Sequence, residues 1–273
     1  MIPHIPLLET LDITLSSTGV AELAFNRPKR YNALSALAYR DWLAAIQWAS
    51  RCNDVKVVVL TGRGKYYTSG QELQEPDFSP AGIESQKQRR HVTKTLVDEL
   101  INFPKLLIAG VNGNAIGFGV TTLALCDVVY SVPGATFNTP FMKLAFCAEG
   151  CSSILFPKIM GSSKANEMLL MGRTFTAEEL VQCGFVSRLL STDNFHEQVM
   201  DLAEEAAKFS TGALRVSKKL IRDVDREQLM QVNAVEMEEL TKRMSSQDSI
   251  DSILSFVEQA KQRKMSKNKD SKI

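Results

Sequence analysis

The chain has 273 residues, 44% of them hydrophobic, with 32 basic against 31 acidic side chains and a formal net charge of +1. This suits one large domain, or a domain with an appendage, around a substantial core, and it excludes a general polyanion-binding field, so no nucleic acid partner is expected. Five cysteines without CxxC spacing and three histidines (His4, His91, His196) without ligand spacing favour neither a disulfide framework nor a metal site; no stretch is apolar enough to span a membrane, and a soluble protein of a reducing compartment is expected.

In chain order, LDITLSSTGVAELAFN (11–26) carries two β-rich runs around Ser-Thr-Gly and predicts a hairpin. SALAYRDWLAAIQWAS (35–50) has helical spacing behind a Ser N-cap. VKVVVLTG (55–62) and LLIAGVNG (106–113) predict buried strands. Between them, residues 74–90 predict a polar loop with two prolines, followed by a helix over 91–103. CDVVYSV (126–132) and ATFNTP (135–140) add strand signals, and the alternation argues for an α/β core with parallel strands. After about residue 160 helices dominate: 161–172, then 176–184 with Thr176, Glu179 and Gly184 as its start and stop signals, then 194–209, 212–244 and 248–264. Core, helical region and flexible tail are expected over residues 1–195, 196–264 and 265–273.

Two glycine-bearing turns and one acid carry the chemistry. GNAIGFG (113–119) follows a strand, but Val120, Thr121 and Thr122 stand where a phosphate loop needs Lys and Ser or Thr, and the glycine spacing of a dinucleotide fold is absent. What survives is a turn entering a helix N-terminus, where N–H groups and the helix dipole favour a negative oxygen. YTSGQEL (67–73) follows another buried strand, and Gly70 allows a sharp turn that presents a neighbouring N–H such as that of Ser69. On residues alone both turns are equally open to a structural role. AFCAEGCSS (145–153) holds a lone acid, Glu149, between small residues, open to proton transfer beside an oxyanion or to the role of a solvated loop acid. Cys147 and Cys151 flank it, but no paired histidine supports thiol chemistry.

NRPKRYNAL (26–34), GKYYTSGQEL (64–73), AGVNGNAIGFGVTTLALCDVVYS (109–131) and FNTPFMKLAFCAEGCSS (137–153), in this order and spacing, resemble the crotonase (enoyl-CoA hydratase/isomerase) superfamily. AEGCSS and FPKIMG (156–161) are most similar to its peroxisomal Δ3,Δ2-enoyl-CoA isomerases. Those often carry an acyl-CoA-binding domain, which is not expected within these 273 residues. The resemblance implies an α/β spiral of ββα turns, a C-terminal helical trimerisation region, a homotrimer or dimer of trimers, and a thioester oxygen held by backbone N–H groups of Ser69 and Phe118. It places coenzyme A, part of the substrate rather than a cofactor, near Lys29 and Arg30, and the substrate along Gly70, Gln71, Glu72, Leu73 and Phe141. By themselves Lys29 and Arg30 would be an ordinary solvated pair.

The resemblance also separates activities. The two glutamates of a hydratase fall at Thr121 and Phe141, whereas the isomerase acid falls at Glu149. Adding water needs a positioned water and a proton donor, but moving a double bond needs one base that takes a proton from C2 and returns it at C4. Apolar neighbours Phe141, Leu144, Phe146 and Ala148 are expected to raise the proton affinity of that base. A 3-enoyl-CoA isomerase is therefore expected, with a hydratase or hydrolase using Glu72 or Asp77, or a noncatalytic acyl-CoA-binding scaffold, as alternatives. The ending Ser271, Lys272, Ile273 differs only at its last residue from Ser-Lys-Leu, so a peroxisomal import receptor is an expected partner.

Overall fold

The computed structural model describes residues 4–270, with side chains through residue 262. Strands β1 (Leu11–Leu15) and β2 (Val20–Phe25) form the expected antiparallel hairpin, with Leu11 opposite Phe25. Helix α1 (Ala36–Arg51) follows, and the Ser35 side chain caps it by accepting from Ala38 N–H at 3.2 Å. Its buried stripe, Trp42, Ala45, Ile46 and Ala49, recurs at helical spacing, and the Trp42 ring meets Phe25 edge to face at 4.9 Å.

Two strand–strand–helix turns then repeat. The first comprises β3 (Val57–Gly62), β4 (Tyr66–Thr68) and α2 (Pro80–Ile101). The second comprises β5 (Leu106–Val111), β6 (Asn114–Ile116) and the short α3 (Phe118–Thr121). A third begins with β7 (Val128–Ser131) and β8 (Thr136–Asn138), and after a loop continues into α4 (Ser152–Met160) and α5 (Ser162–Leu169). Next come β9 (Phe175–Thr176), α6 (Ala177–Gln182), with both halves of the Thr176–Glu179 capping box formed, and β10 (Arg188–Leu189). The first strand of each turn joins a six-stranded sheet, β1-β2-β3-β5-β7-β10, and the second joins a four-stranded sheet, β4-β6-β8-β9. Pairing is parallel except at β1–β2 and β8–β9. VVVLTG of β3 is buried along its whole length, which explains its unbroken apolar run.

The C-terminal part is helical: α7 (Phe195–Ala207), α8 (Thr211–Asp223), α9 (Arg226–Met244) and α10 (Gln247–Asp270). Helix α7 packs on β2, β3 and β5, with Val199 against Gly110. Three expectations about elements are corrected. Residues 80–90 are helix rather than loop, because Ser79 caps and Pro80 opens α2, a pairing that suits a helix start. The span 212–244 is two helices, broken at Val224 and Asp225. Helix α10 continues to Asp270, through six residues expected as flexible tail, in a stretch rich in the helix-favouring residues Lys, Arg, Gln and Met. Ser271, Lys272 and Ile273 lie outside the described residues. Among those described, no helix is long and apolar enough to cross a membrane.

Candidate active site

A cavity of about 660 Å³ opens between the second strands of the spiral turns and the C-terminal helices. It gathers every site residue expected from the sequence: Lys29, Arg30, Ser69, Gly70, Gln71, Glu72, Leu73, Phe118, Phe141 and Glu149 all line it. Leu144, Phe146, Met237, Leu240, Met244 and Phe256 supply much of its apolar wall. It also contains Tyr39, Arg89 and Arg90, which no motif in the sequence singles out.

The two glycine turns meet at this cavity because β4 and β6 are parallel neighbours ending side by side. Gly70 adopts φ +76°, and a Cβ there would lie 2.7 Å from Ile116 O and 3.7 Å from Gly117 N. Only glycine therefore allows the 69–71 turn to sit against the 116–118 turn. The expected donor at Ser69 is corrected: its N–H already donates to Tyr31 O at 2.9 Å, and Gly70 N–H donates to Thr68 Oγ1 at 3.1 Å. The bridge to Leu34 takes Gly70 O and Glu72 N–H, leaving the Gln71 N–H without a hydrogen-bond partner among the described residues. Asn32 and Tyr31 cause the swap: both take positive φ (54° and 51°), and the loop they form folds back onto the 68–70 strand end.

Phe118 is the first residue of α3, so its N–H is one of the helix's unpaired first-turn donors, and it has no hydrogen-bond partner among the described residues. Its ring is anchored edge-on against Tyr39 and Trp42, with centroids 5.2 and 5.6 Å away. The Phe118 side chain thus fixes the turn into the core. Gln71 and Phe118 N–H groups are unspent donors, one from each turn, on residues that line the cavity.

Glu149 is only 6% exposed, and burial pushes its carboxyl up to about 8, with the negative charge of Glu236 adding to the rise and the Thr121 hydroxyl drawing it partly back. Its main-chain carbonyl accepts from Ser152 N–H at 3.2 Å and Ser152 Oγ–H at 2.7 Å. Two successive left-handed residues follow, Gly150 (φ 66°) and Cys151 (φ 63°), and α4 begins. A Cβ on Gly150 would stand 2.7 Å from Thr121 Oγ1, so the acid's turn is pressed against α3. Thr121 and Phe141, where the resemblance places a hydratase's two acids, are both buried; Thr121 acts on the Glu149 carboxyl, and Phe141 lines the same cavity as Glu149. Burial pushes the Cys147 thiol up to about 11 and that of Cys151 up to about 12, which disfavours thiolate chemistry at either.

The second carboxylate lining the cavity, Glu72, is already committed. It pairs with Arg27 at 3.1 Å and with Arg30, and its carboxyl lies below the usual range even though burial works the other way. Arg30 is thus shared between Glu72 and any anion, while Lys29 beside it is in no ion pair among the described residues. Asp77 lies outside this cavity and bonds Ser79 N–H at 2.9 Å in the turn before α2. Among the described residues no cluster of three or more His, Cys, Asp or Glu side chains could hold a metal ion.

The family model described as enoyl-CoA hydratase/isomerase matches residues 16–266, and the chain belongs to that family. Among curated relatives, it is 41% identical over 251 residues to human enoyl-CoA delta isomerase 2, covering 91% of this chain but 63% of that protein. It is 40% identical over 253 residues to mouse enoyl-CoA delta isomerase 3, peroxisomal, covering 91% of this chain and 79% of the relative. Among solved structures, the enoyl-CoA hydratase/isomerase from Pseudoalteromonas atlantica T6c superposes with a TM-score of 0.81 at 27% identity, covering 92% and 98% of the two chains. The α/β spiral described above is therefore the crotonase fold. The chain spans less than two thirds of the length of the human relative.

Proposed function

We propose that the protein is a Δ3,Δ2-enoyl-CoA isomerase that uses Glu149 as its single base. The observation that carries this reading is that two carboxylates line the cavity and one of them, Glu72, is neutralised by Arg27 and Arg30, leaving Glu149 as the acid able to exchange a proton there. In this reading the thioester oxygen of a 3-enoyl-CoA accepts from Gln71 N–H and Phe118 N–H, which acidifies C2. Glu149 takes the C2 proton, a dienolate forms, and the same carboxyl protonates C4 to give trans-2-enoyl-CoA. Each donor is expected to lower the barrier by about 3 kcal/mol. A carboxyl near pH 8 is a stronger base than an ordinary glutamate and suits proton removal from a weak carbon acid.

Lys29 and Arg30 at the cavity wall suit the phosphates of coenzyme A, the reaction needs no group beyond the thioester itself, and the acyl chain would lie along Phe141, Leu144, Phe146 and Met237. The outward apolar side chains of the α8 region, Val216, Leu220, Ile221 and Val224, support residues 196–264 as the oligomerisation region of a trimer or dimer of trimers. Peroxisomal fatty-acid oxidation is the proposed setting, supported by the similarity to the mouse relative named as peroxisomal. A hydratase working through Glu72 or Asp77 is less well supported, since the first is ion-paired and the second lies outside the cavity.

The test offers the protein trans-3-hexenoyl-CoA and, separately, trans-2-hexenoyl-CoA. Conjugated 2-enoyl absorbance should appear from the first without loss of it from the second. Hydration of the second at comparable rate would replace this reading with a hydratase. Tight acyl-CoA binding without turnover of either would leave the scaffold.

A further inference from the structure

The base sits on a turn that its own segment holds only at the Glu149 carbonyl, through Ser152. Cys151, the residue before α4, is left-handed without being glycine and supplies no side-chain cap to the helix it starts. Such a conformation is disfavoured for an L residue, and it persists only where surrounding structure determines it. The missing cap comes from α9, 85 residues away: Glu236 Oε2 accepts from Cys151 N–H at 2.7 Å, and Oε1 accepts from Ser153 N–H at 3.0 Å. Seven residues earlier, on the same face of α9, Leu229 O accepts from Cys151 Sγ–H at 3.4 Å. Helix α9 is in turn fastened to α2, where Asn233 Nδ2 donates to Asp98 Oδ1 at 2.8 Å and to Lys94 O at 3.1 Å.

Glu236 is 6% exposed and is in no ion pair among the described residues. A buried carboxylate without a cation is costly unless its oxygens are satisfied, and here two main-chain donors and the positive end of α4 do so. The residue sequence offers no hint of this, since REQLMQVNAVEMEELTKRM reads as a helix with acids scattered along it.

We propose that Glu236 is the positioning residue of the catalytic base: by clamping the N–H groups of Cys151 and Ser153 at the start of α4 it holds the Gly150–Cys151 turn that aims Glu149 into the cavity. This rests on Glu149 being the base. The clamp has a second effect, because the negative charge of Glu236 opposes ionisation of Glu149 across the turn and keeps the base strong. The other titratable groups around the base are Tyr39 from α1, whose hydroxyl also feels Arg89 of α2, and Cys147 and Cys151 of its own segment. Burial pushes the tyrosine and both thiols up, and it raises the Glu236 carboxyl too, though the Ser153 and Cys151 hydrogen bonds draw that one partly back, so Glu236 is the neighbour whose charge acts on Glu149 and that a substitution can remove.

The decisive variant is Glu236→Gln, which keeps size and one accepting oxygen, removes the charge and leaves one N–H unpaired. Glu236→Ala removes the clamp altogether. Relative to the parent, Glu236→Ala should lose roughly 10- to 100-fold in kcat on trans-3-hexenoyl-CoA with KM within about threefold, since misplacing a base costs turnover rather than thioester binding. Glu236→Gln should lose less and should move the rising limb of its kcat/KM against pH to lower pH. Carboxyl-13C NMR of labelled protein reads the Glu149 titration without turnover, and its midpoint should fall in Glu236→Gln. Folding is checked by circular dichroism, and if the alanine variant does not fold, the glutamine variant decides. A folded Glu236→Gln with the parent's kcat, pH profile and Glu149 midpoint would overturn the inference. If the parent itself fails to isomerise, the proposed activity falls, yet the NMR midpoint still decides whether Glu236 controls Glu149.

Discussion

The two ends of the cavity are built by different means. At the end proposed for the thioester, the groups on offer are main-chain N–H donors on Gln71 and Phe118, fixed by parallel strands that end side by side and by a glycine that permits close approach. At the end proposed for the base, the group is one side chain, Glu149, followed by a turn whose Cys151 N–H donates to a carboxylate from a helix 85 residues further along. The first end is insensitive to most side-chain changes but intolerant of any that alter the backbone. The second is the reverse, since its geometry and its proton affinity both pass through individual side chains. In the proposed reading the spiral supplies the oxyanion donors, and the C-terminal helices tune the base.

Substitutions separate the two ends. The largest effect outside the base itself is expected at Gly70. A Gly70→Val side chain would meet Ile116 O and would force a β-branched residue into φ +76°. Displacing a donor turn should cost roughly 10²- to 10³-fold in kcat, measured on 3-hexenoyl-CoA, while the Glu149 titration stays near that of the parent. An intermediate effect is expected for stability against pH. Glu149 has its carboxyl raised in the folded state, so it holds a proton where the unfolded chain has lost it. Its contribution is fully present below about pH 4.5 and is lost as pH rises through the folded value of about 8. Thermal unfolding should therefore show a lower Tm at about pH 9 than at about pH 6, with a smaller gap in Glu149→Gln; an unchanged gap would mean that Glu149 does not titrate differently on unfolding. The smallest effect is expected for Thr121→Val, which removes the hydroxyl that favours ionised Glu149. Its kcat/KM profile should move to higher pH by less than about one unit, opposite in sign to Glu236→Gln.

Much of the spiral was legible in the sequence because buried parallel strands announce themselves as apolar runs, as in VVVLTG of β3, and because Ser35 and Thr176 mark helix starts. The site's membership was legible through the four motifs, each of which reaches the cavity. Its donors were legible only in part. Whether the Ser69 or the Gln71 N–H is free depends on where the Tyr31 carbonyl falls, a contact set by the loop that Tyr31 and Asn32 make in left-handed conformation. Glu236 was illegible for a similar reason: a glutamate on an amphipathic helix reads as solvated until tertiary packing buries it against another helix's N-terminus.

The central claim is that one carboxylate performs both proton transfers, and Glu149→Gln tests it most directly, since it keeps shape and polarity but cannot accept the C2 proton. With the fold unchanged by circular dichroism, kcat for trans-3-hexenoyl-CoA should fall by about 10³-fold or more, at the level of a lost general base. A folded Glu149→Gln protein within about tenfold of the parent would contradict the account.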